Sequence, residues 1–135
     1  MMLNTPILFI IFNRTEVALK SLEAIKKSKP TKMYISGDGP RNTVPQDEEK
    51  VRKTREAVIK AIDWDCEVKT LFQDENLGCG PGVYTAINWF FDHEEQGIIL
   101  EDDCVASDSF FPFCQTLLEH YKDDQRIGLI SGFNQ

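Results

Sequence analysis

The stretch Gly97-Ile98-Ile99-Leu100-Glu101-Asp102-Asp103 joins a short apolar run directly to three acidic residues. The apolar run predicts a buried strand, and ionised carboxylates gathered at a buried strand end are costly unless a positive charge lies among them. Because side chains alternate along a strand, Glu101 and Asp103 are expected on one side and Asp102 on the other. Such a triplet can hold Mg²⁺ or Mn²⁺ on one side and ligand hydroxyls on the other, whereas the alternative is a solvated acidic turn.

Outward from this stretch, the chain alternates five strand-like runs with four helix-like runs. The predicted strands cover residues 6–12, 33–36, 67–72, 97–100 and 127–131. The predicted helices run from a Thr15 N-cap to Pro30, from 46 to 62, from a Gly80-Pro81 N-cap pair onward, and from 108 to 122. This alternation predicts an α/β fold with an open, Rossmann-like, mostly parallel sheet and helices on both faces. Charged residues alternate with others in 67–72, which places that strand near an edge.

The composition is that of an ordinary globular chain. Its 135 residues suit one domain or part of one, with 41% hydrophobic and 27% charged residues. The formal net charge of -7, with no prominent basic stretch, argues against a nucleic-acid partner. No apolar run approaches the roughly 20 residues of a membrane span. The first residues do not have the pattern of a signal peptide.

The cysteines indicate a reducing compartment. The four of them, Cys66, Cys79, Cys104 and Cys114, show no CxxC spacing. We therefore expect reduced, mostly packed thiols, and neither a zinc site nor a disulfide framework. This usage predicts a cytoplasmic protein.

Polar residues follow most of the predicted strands. They are Asn13 and Arg14, Asp38, Asn76, the acidic triplet, and Asn134. Ligands of open parallel sheets bind beyond the carboxyl ends of the strands, so these residues are expected to converge on one edge. Arg14 can meet a phosphate or form a structural ion pair with the triplet. Asp38, between two glycines, is either a turn former or a ligand contact.

The loop Asn76-Leu77-Gly78-Cys79-Gly80-Pro81-Gly82 is rich in glycine. It lacks both the Lys-Ser/Thr pair of a P-loop and the spacing of a dinucleotide-binding fingerprint. A tight turn from strand to helix is therefore its predicted role.

Over nearly its whole length, the chain resembles the N-terminal, nucleotide-sugar-binding half of GT-A glycosyltransferases. More narrowly, it is similar to the N-acetylglucosaminyltransferase I type and to related bacterial nucleotide-diphospho-sugar transferases. The motifs that carry the resemblance are residues 6–14 (PILFIIFNR), Ser36-Gly37-Asp38, Asn76-Leu77-Gly78, residues 98–103 (IILEDD) with Asp108-Ser109-Phe110-Phe111 behind them, and residues 130–134 (ISGFN).

The resemblance implies a metal-dependent glycosyltransferase domain. Such a domain binds a nucleotide-diphosphate sugar, here expected to be a UDP-sugar, and transfers the sugar to a carbohydrate-type acceptor that the sequence does not identify. Asp103 would be the direct ligand of Mn²⁺ or Mg²⁺, as the last acid of a DxD-type motif. Asp102 would face the ribose and Glu101 the donor sugar.

The resemblance also implies roles for residues after the first two strands. Asp38 would accept a hydrogen bond from N3–H of uracil, and Asn13 and Arg14 would line the uridine-diphosphate pocket. In this family the acceptor site and the catalytic base come later, which here means beyond Gln135, so no residue is assigned as the base. We therefore expect one domain, residues 1–135, that is the N-terminal fragment of a longer GT-A domain and is inactive alone.

Two alternatives stay open at this point. A receiver-type signalling module also binds magnesium through acids, but it places an acid pair after strand one, where this chain has Asn13-Arg14, and a lysine after strand five. A nucleotidyltransferase that forms the sugar nucleotide usually carries a glycine-rich, basic loop after strand one, whereas this chain has Thr15-Glu16-Val17.

Overall fold

The computed structural model describes residues 2–107 and 109–124. In those ranges four strands alternate with four helices: β1 (Ile7–Ile11), α1 (Thr15–Ser28), β2 (Lys32–Gly37), α2 (Asp47–Ala61), β3 (Glu67–Phe72), α3 (Cys79–His93), β4 (Ile98–Glu101) and α4 (Phe110–Tyr121). The predicted strand at 127–131, Asn134 and the predicted helix start at Asp108 lie outside the described residues.

The strands form one parallel sheet in the order β3-β2-β1-β4. The α/β fold and the open parallel sheet are therefore confirmed, and β3 lies at an edge as its charge alternation predicts. The chain builds outward from β1 through β2 to β3 and then crosses to the other side of β1. The direction of winding thus reverses between β1 and β4.

The two faces of the sheet carry separate hydrophobic cores, so helices cover both. On one face, Ile7, Phe9 and Ile11 of β1 pack in a large core with buried residues of α1, α2 and α4. On the other, Leu8 and the ring of Tyr34 pack against Ala86 and Phe90, which belong to α3. Successive strand residues point to opposite faces, which is why β1 is apolar almost throughout.

The glycine that begins the acidic stretch is required by packing. A Cβ at Gly97 would lie 2.2 Å from a ring carbon of Phe90, far inside van der Waals contact. A side chain there would therefore push α3 away from the strand that carries the acids.

The described helix starts differ from the sequence prediction by one or two residues, and in two of them the cap is a different residue. Arg14, and not Thr15, is the N-cap of α1, because the Thr15 hydroxyl hydrogen-bonds the Thr54 hydroxyl of α2 at 2.8 Å. The third helix begins at Cys79 and not after a Gly80 cap, because Gly78, at a φ of 93°, makes the sharp turn itself.

The expectation about the thiols is half correct. All four cysteines are free. Cys66 and Cys114 are half-buried as expected, but Cys79 and Cys104 are exposed. Cys79 is the first residue of α3, and Cys104 follows the turn after β4.

Candidate functional site

The acidic stretch meets Arg14 where β1 and β4 end side by side. Ile10 of β1 pairs with Glu101, the last residue of β4. Just beyond, the Arg14 Nη2 atom lies 3.1 Å from Asp102 Oδ1 and 3.8 Å from Asp103 Oδ2. We call Arg14, Glu101, Asp102 and Asp103 the acidic junction. It stands where the winding of the sheet reverses, which is where open α/β sheets bind ligands.

Asp102 is the buried member of the junction. Its side chain is 10% exposed, against 54% for Arg14. Burial raises the pKa of Asp102, and the nearby Arg14 charge opposes that rise without cancelling it. The main-chain carbonyl of Asp102 accepts a hydrogen bond from the Ser21 hydroxyl at 2.5 Å, which ties the turn after β4 to α1.

Glu101 and Asp103 are both exposed, and because β4 ends at Glu101, Asp103 lies in the turn after the strand and not on the strand itself. With Cys104, each offers one ligand atom, and these atoms lie within 4.8 Å of one another. Two carboxylates with open surroundings suit a hard cation that keeps positions for water and phosphate oxygens. Burial, and to a lesser degree the charge of Asp103, raises the pKa of the Cys104 thiol, so the carboxylates are the primary donors.

Asn13 does not face the acidic junction. Its amide Nδ2 donates to Asp47 Oδ1 at 2.8 Å, and the same oxygen accepts from Arg41 Nη2 at 3.1 Å. Asp47 Oδ2 accepts from the Arg41 backbone N–H at 2.9 Å and from Arg41 Nε at 2.8 Å. Arg41 therefore holds the pKa of this buried carboxyl well below its usual range. We call Asn13, Arg41 and Asp47 the Asp47 cluster.

Sequence analysis missed Asp47, Arg41 and Cys104. Asp47 is one of several acids at the start of α2, and nothing in the sequence marks it as the buried one. Cys104 could have been found, because it directly follows the triplet. Arg41 follows the turn after β2, and apart from that position nothing in the sequence marked it as a functional residue.

The Asp38 carboxylate fixes two loops to each other. Oδ1 accepts from the Gly39 and Leu77 N–H groups at 2.8 and 2.7 Å. Oδ2 accepts from Gly78 N–H at 3.0 Å and from Asn76 Nδ2 at 3.2 Å. A carboxylate has about four acceptor positions, so a base N–H would have to share an oxygen with one of these donors. The contact between Asp38 and uracil stays a prediction.

Two concave regions lie away from the acidic junction. One, of about 370 Å³, lies beside α2 and the end of β3, where Arg55 and Gln73 form part of its wall. The other, of about 630 Å³, lies at the opposite edge of the sheet, near Pro6 and Gln96. Neither includes a residue of the junction.

A comparison with protein-family models finds no match for this chain, and a comparison with curated proteins finds no similar sequence. Among the helices in the described ranges, none combines the length and the apolar character needed to cross a membrane.

Proposed function

We propose that this chain binds a nucleotide-diphosphate sugar, with a UDP-sugar as the expected donor, and serves as the donor-binding part of a metal-dependent glycosyltransferase. The observation that supports this most strongly is the acidic junction. It brings two exposed carboxylates, one buried carboxylate and one arginine together where the sheet reverses its winding.

The charges of the junction suit a diphosphate with its cation. Asp103, with Glu101 beside it, would hold Mn²⁺ or Mg²⁺. Arg14 is more than half exposed, so it can contact a phosphate while it pairs with Asp102. A divalent ion on the diphosphate stabilises the negative charge that develops on the leaving group.

No residue of this chain is assigned as the catalytic base. By the resemblance, the base and the acceptor site belong to a later part of the domain. A cytoplasmic location remains part of the proposal, and cell fractionation tests it.

The strand order separates this proposal from the receiver alternative. Receiver-type modules have the order 2-1-3-4-5, in which β1 lies next to β3. Here β1 lies between β2 and β4, and the order 3-2-1-4 is that of a Rossmann-type sheet. The nucleotidyltransferase alternative shares the ligand chemistry, and release of pyrophosphate from UTP and a sugar phosphate would favour it.

Calorimetry of UDP with and without Mn²⁺ tests the proposal. UDP should bind more tightly with Mn²⁺, and Asp103→Asn should remove most of that difference. Asp92→Asn, on an exposed residue of α3, is the matched control and should leave it unchanged. If UDP binds Asp103→Asn with the same affinity and the same metal dependence as the unsubstituted chain, Asp103 is not the metal ligand. No binding of UDP or UDP-sugars by the unsubstituted chain would contradict the proposal as a whole.

A further inference from the structure

The Asp47 cluster leaves part of the Arg41 guanidinium facing solvent. The Arg41 side chain is 48% exposed, whereas that of Asp47 is 1% exposed. Arg41 uses Nε and Nη2 to donate to Asp47. Its Nη1 group makes no hydrogen bond to residues 2–107 or 109–124, and it carries two further N–H donors.

Arg41 lies at the edge of the sheet where ligands bind. Its Nη2 and the Asn13 amide donate to the same oxygen of Asp47, at 3.1 and 2.8 Å. Its guanidinium carbon lies 5.5 Å from the centroid of the Phe12 ring, and Phe12 directly follows β1. Arg41 is therefore on the β2 side of the residues that follow β1, and the acidic junction is on the β4 side.

The guanidinium is also held in one orientation before any ligand arrives. Two side-chain hydrogen bonds and one from its own backbone N–H join Arg41 to a carboxylate that is almost fully buried. The Phe12 ring adds a cation–π contact to one face. An arginine fixed in this way loses little side-chain entropy when it forms a further hydrogen bond.

We propose that Arg41 is a second cationic contact, besides Arg14, for the phosphate groups of the ligand bound at this edge. The inference rests on the proposed function, which supplies that ligand. The Nη2 group of Arg14 donates to Asp102 and also lies close to Asp103, so Arg14 is shared between two acids. Within the described part of the chain, Nη1 of Arg41 is not shared with a carboxylate, and a guanidinium N–H donates well to a phosphate oxygen.

Two variants separate a phosphate contact from a structural role. Arg41→Ala removes the guanidinium and leaves Asp47 without its cation, so it can destabilise the start of α2. Arg41→Lys keeps a positive charge for Asp47, but one ammonium cannot pair with Asp47 and reach a phosphate in the same geometry. Arg52→Lys is the matched control, because Arg52 is an exposed arginine of α2 that pairs with Glu56.

The measurement is the dissociation constant of UDP, with Mn²⁺ present, beside that of uridine, by calorimetry or NMR titration. Each Arg41 variant should bind UDP about tenfold more weakly, the equivalent of one charge-assisted hydrogen bond, and bind uridine as the unsubstituted chain does. Arg52→Lys should change neither constant.

Each other outcome has a distinct meaning. If UDP and uridine weaken together, Arg41 only supports the fold, and the phosphate contact is wrong. If both Arg41 variants bind UDP as tightly as the unsubstituted chain, the contact is also wrong while the proposed function stands. If the unsubstituted chain binds no UDP, the proposed function is overturned, and the Arg41 assignment is overturned with it.

Discussion

Next to the carboxyl end of β1, the β4 side and the β2 side each carry a buried aspartate, and the two have different partners. Asp102, on the β4 side, has one arginine at 3.1 Å and a second acid beside it, and its pKa is raised. Asp47, on the β2 side, accepts four hydrogen bonds and has a lowered pKa. On the β2 side Arg41 compensates the charge of Asp47 within the chain, whereas on the β4 side one arginine, Arg14, is shared between Asp102 and Asp103.

That difference predicts where substitutions cost stability and where they cost binding. Substitution of a carboxylate whose acceptor positions are all occupied by protein donors should lower the stability of the fold. Substitution of a carboxylate with spare acceptor positions should weaken ligand binding. Asp38 belongs with Asp47 in this division, and Glu101 and Asp103 form the opposite group.

The largest expected effect is that of Asp47→Ala on stability. The substitution removes four hydrogen bonds to a buried carboxylate, and we expect a loss of about 2–3 kcal/mol in the free energy of unfolding. Urea denaturation measures it, with Glu48→Ala in the same helical turn as the control. A loss no larger than that of Glu48→Ala would mean that the cluster does not stabilise the fold.

The pH dependence of the same variant gives a second check. The folded-state pKa of Asp47 lies below its ordinary value of 3.8, so its contribution to stability is present above that value and is lost as the pH falls below it. Asp47→Ala should therefore lose less stability on acidification than the unsubstituted chain does.

The sequence was sufficient to predict the fold and the acidic residues on the β4 side of β1, but not the Asp47 cluster on the β2 side. Apolar runs and their spacing predicted the described strands and helices, because burial on both faces of the sheet leaves a direct composition signal. The acidic junction was also predictable, since Glu101, Asp102 and Asp103 are contiguous and close a strand. The bond between Asn13 and Asp47 was not, because 34 residues separate them and only the packing of α2 brings them together.

The next largest effect on stability is expected for Asp38→Ala. This substitution removes the hydrogen bonds that join the loop Asn76–Gly78 to the turn after β2. Four hydrogen bonds are lost from a half-buried carboxylate, and we expect about 1–2 kcal/mol of destabilisation. Amide hydrogen exchange at Leu77 and Gly78 should accelerate while exchange in β1 follows only the global change. Unchanged exchange at both amides would contradict the role assigned to Asp38.

Asp38→Ala also tests the contact with uracil that the resemblance implies. If Asp38 accepts from the base, the unsubstituted chain should prefer UDP over ADP and GDP by about 1–3 kcal/mol, and the variant should lose that preference. If Asp38 acts only on the loops, the preference among these nucleotides should be the same in both proteins.

A smaller effect is expected for Ser21→Ala, which lets the turn after β4 move relative to α1. The Ser21 side chain is fully buried and donates to the Asp102 carbonyl. Its removal should cost about 1 kcal/mol of stability, and it should weaken Mn²⁺-dependent UDP binding less than Asp103→Asn does. Ser28→Ala, at the end of the same helix, is the control. Weaker stability with unchanged UDP binding would show that the turn need not be fixed for the junction to bind ligand.

The smallest expected effect is that of Asp102→Asn on the pH dependence of stability. It compares the two aspartates most directly. The pKa of Asp102 is raised above its ordinary value of 3.8, so Asp102 releases its proton at a higher pH in the folded state than in the unfolded state. Its contribution to stability is therefore complete below that value and declines as the pH rises through the raised pKa. This sign is opposite to that of Asp47. Asp102→Asn cannot ionise, so its stability should fall less than that of the unsubstituted chain as the pH rises from below 3.8 through the raised pKa of Asp102. Urea denaturation at several pH values measures this slope, with Asp92→Asn as the control. A steeper fall in Asp102→Asn would mean that Arg14 outweighs burial, and that both sides of β1 neutralise their aspartates in the same way.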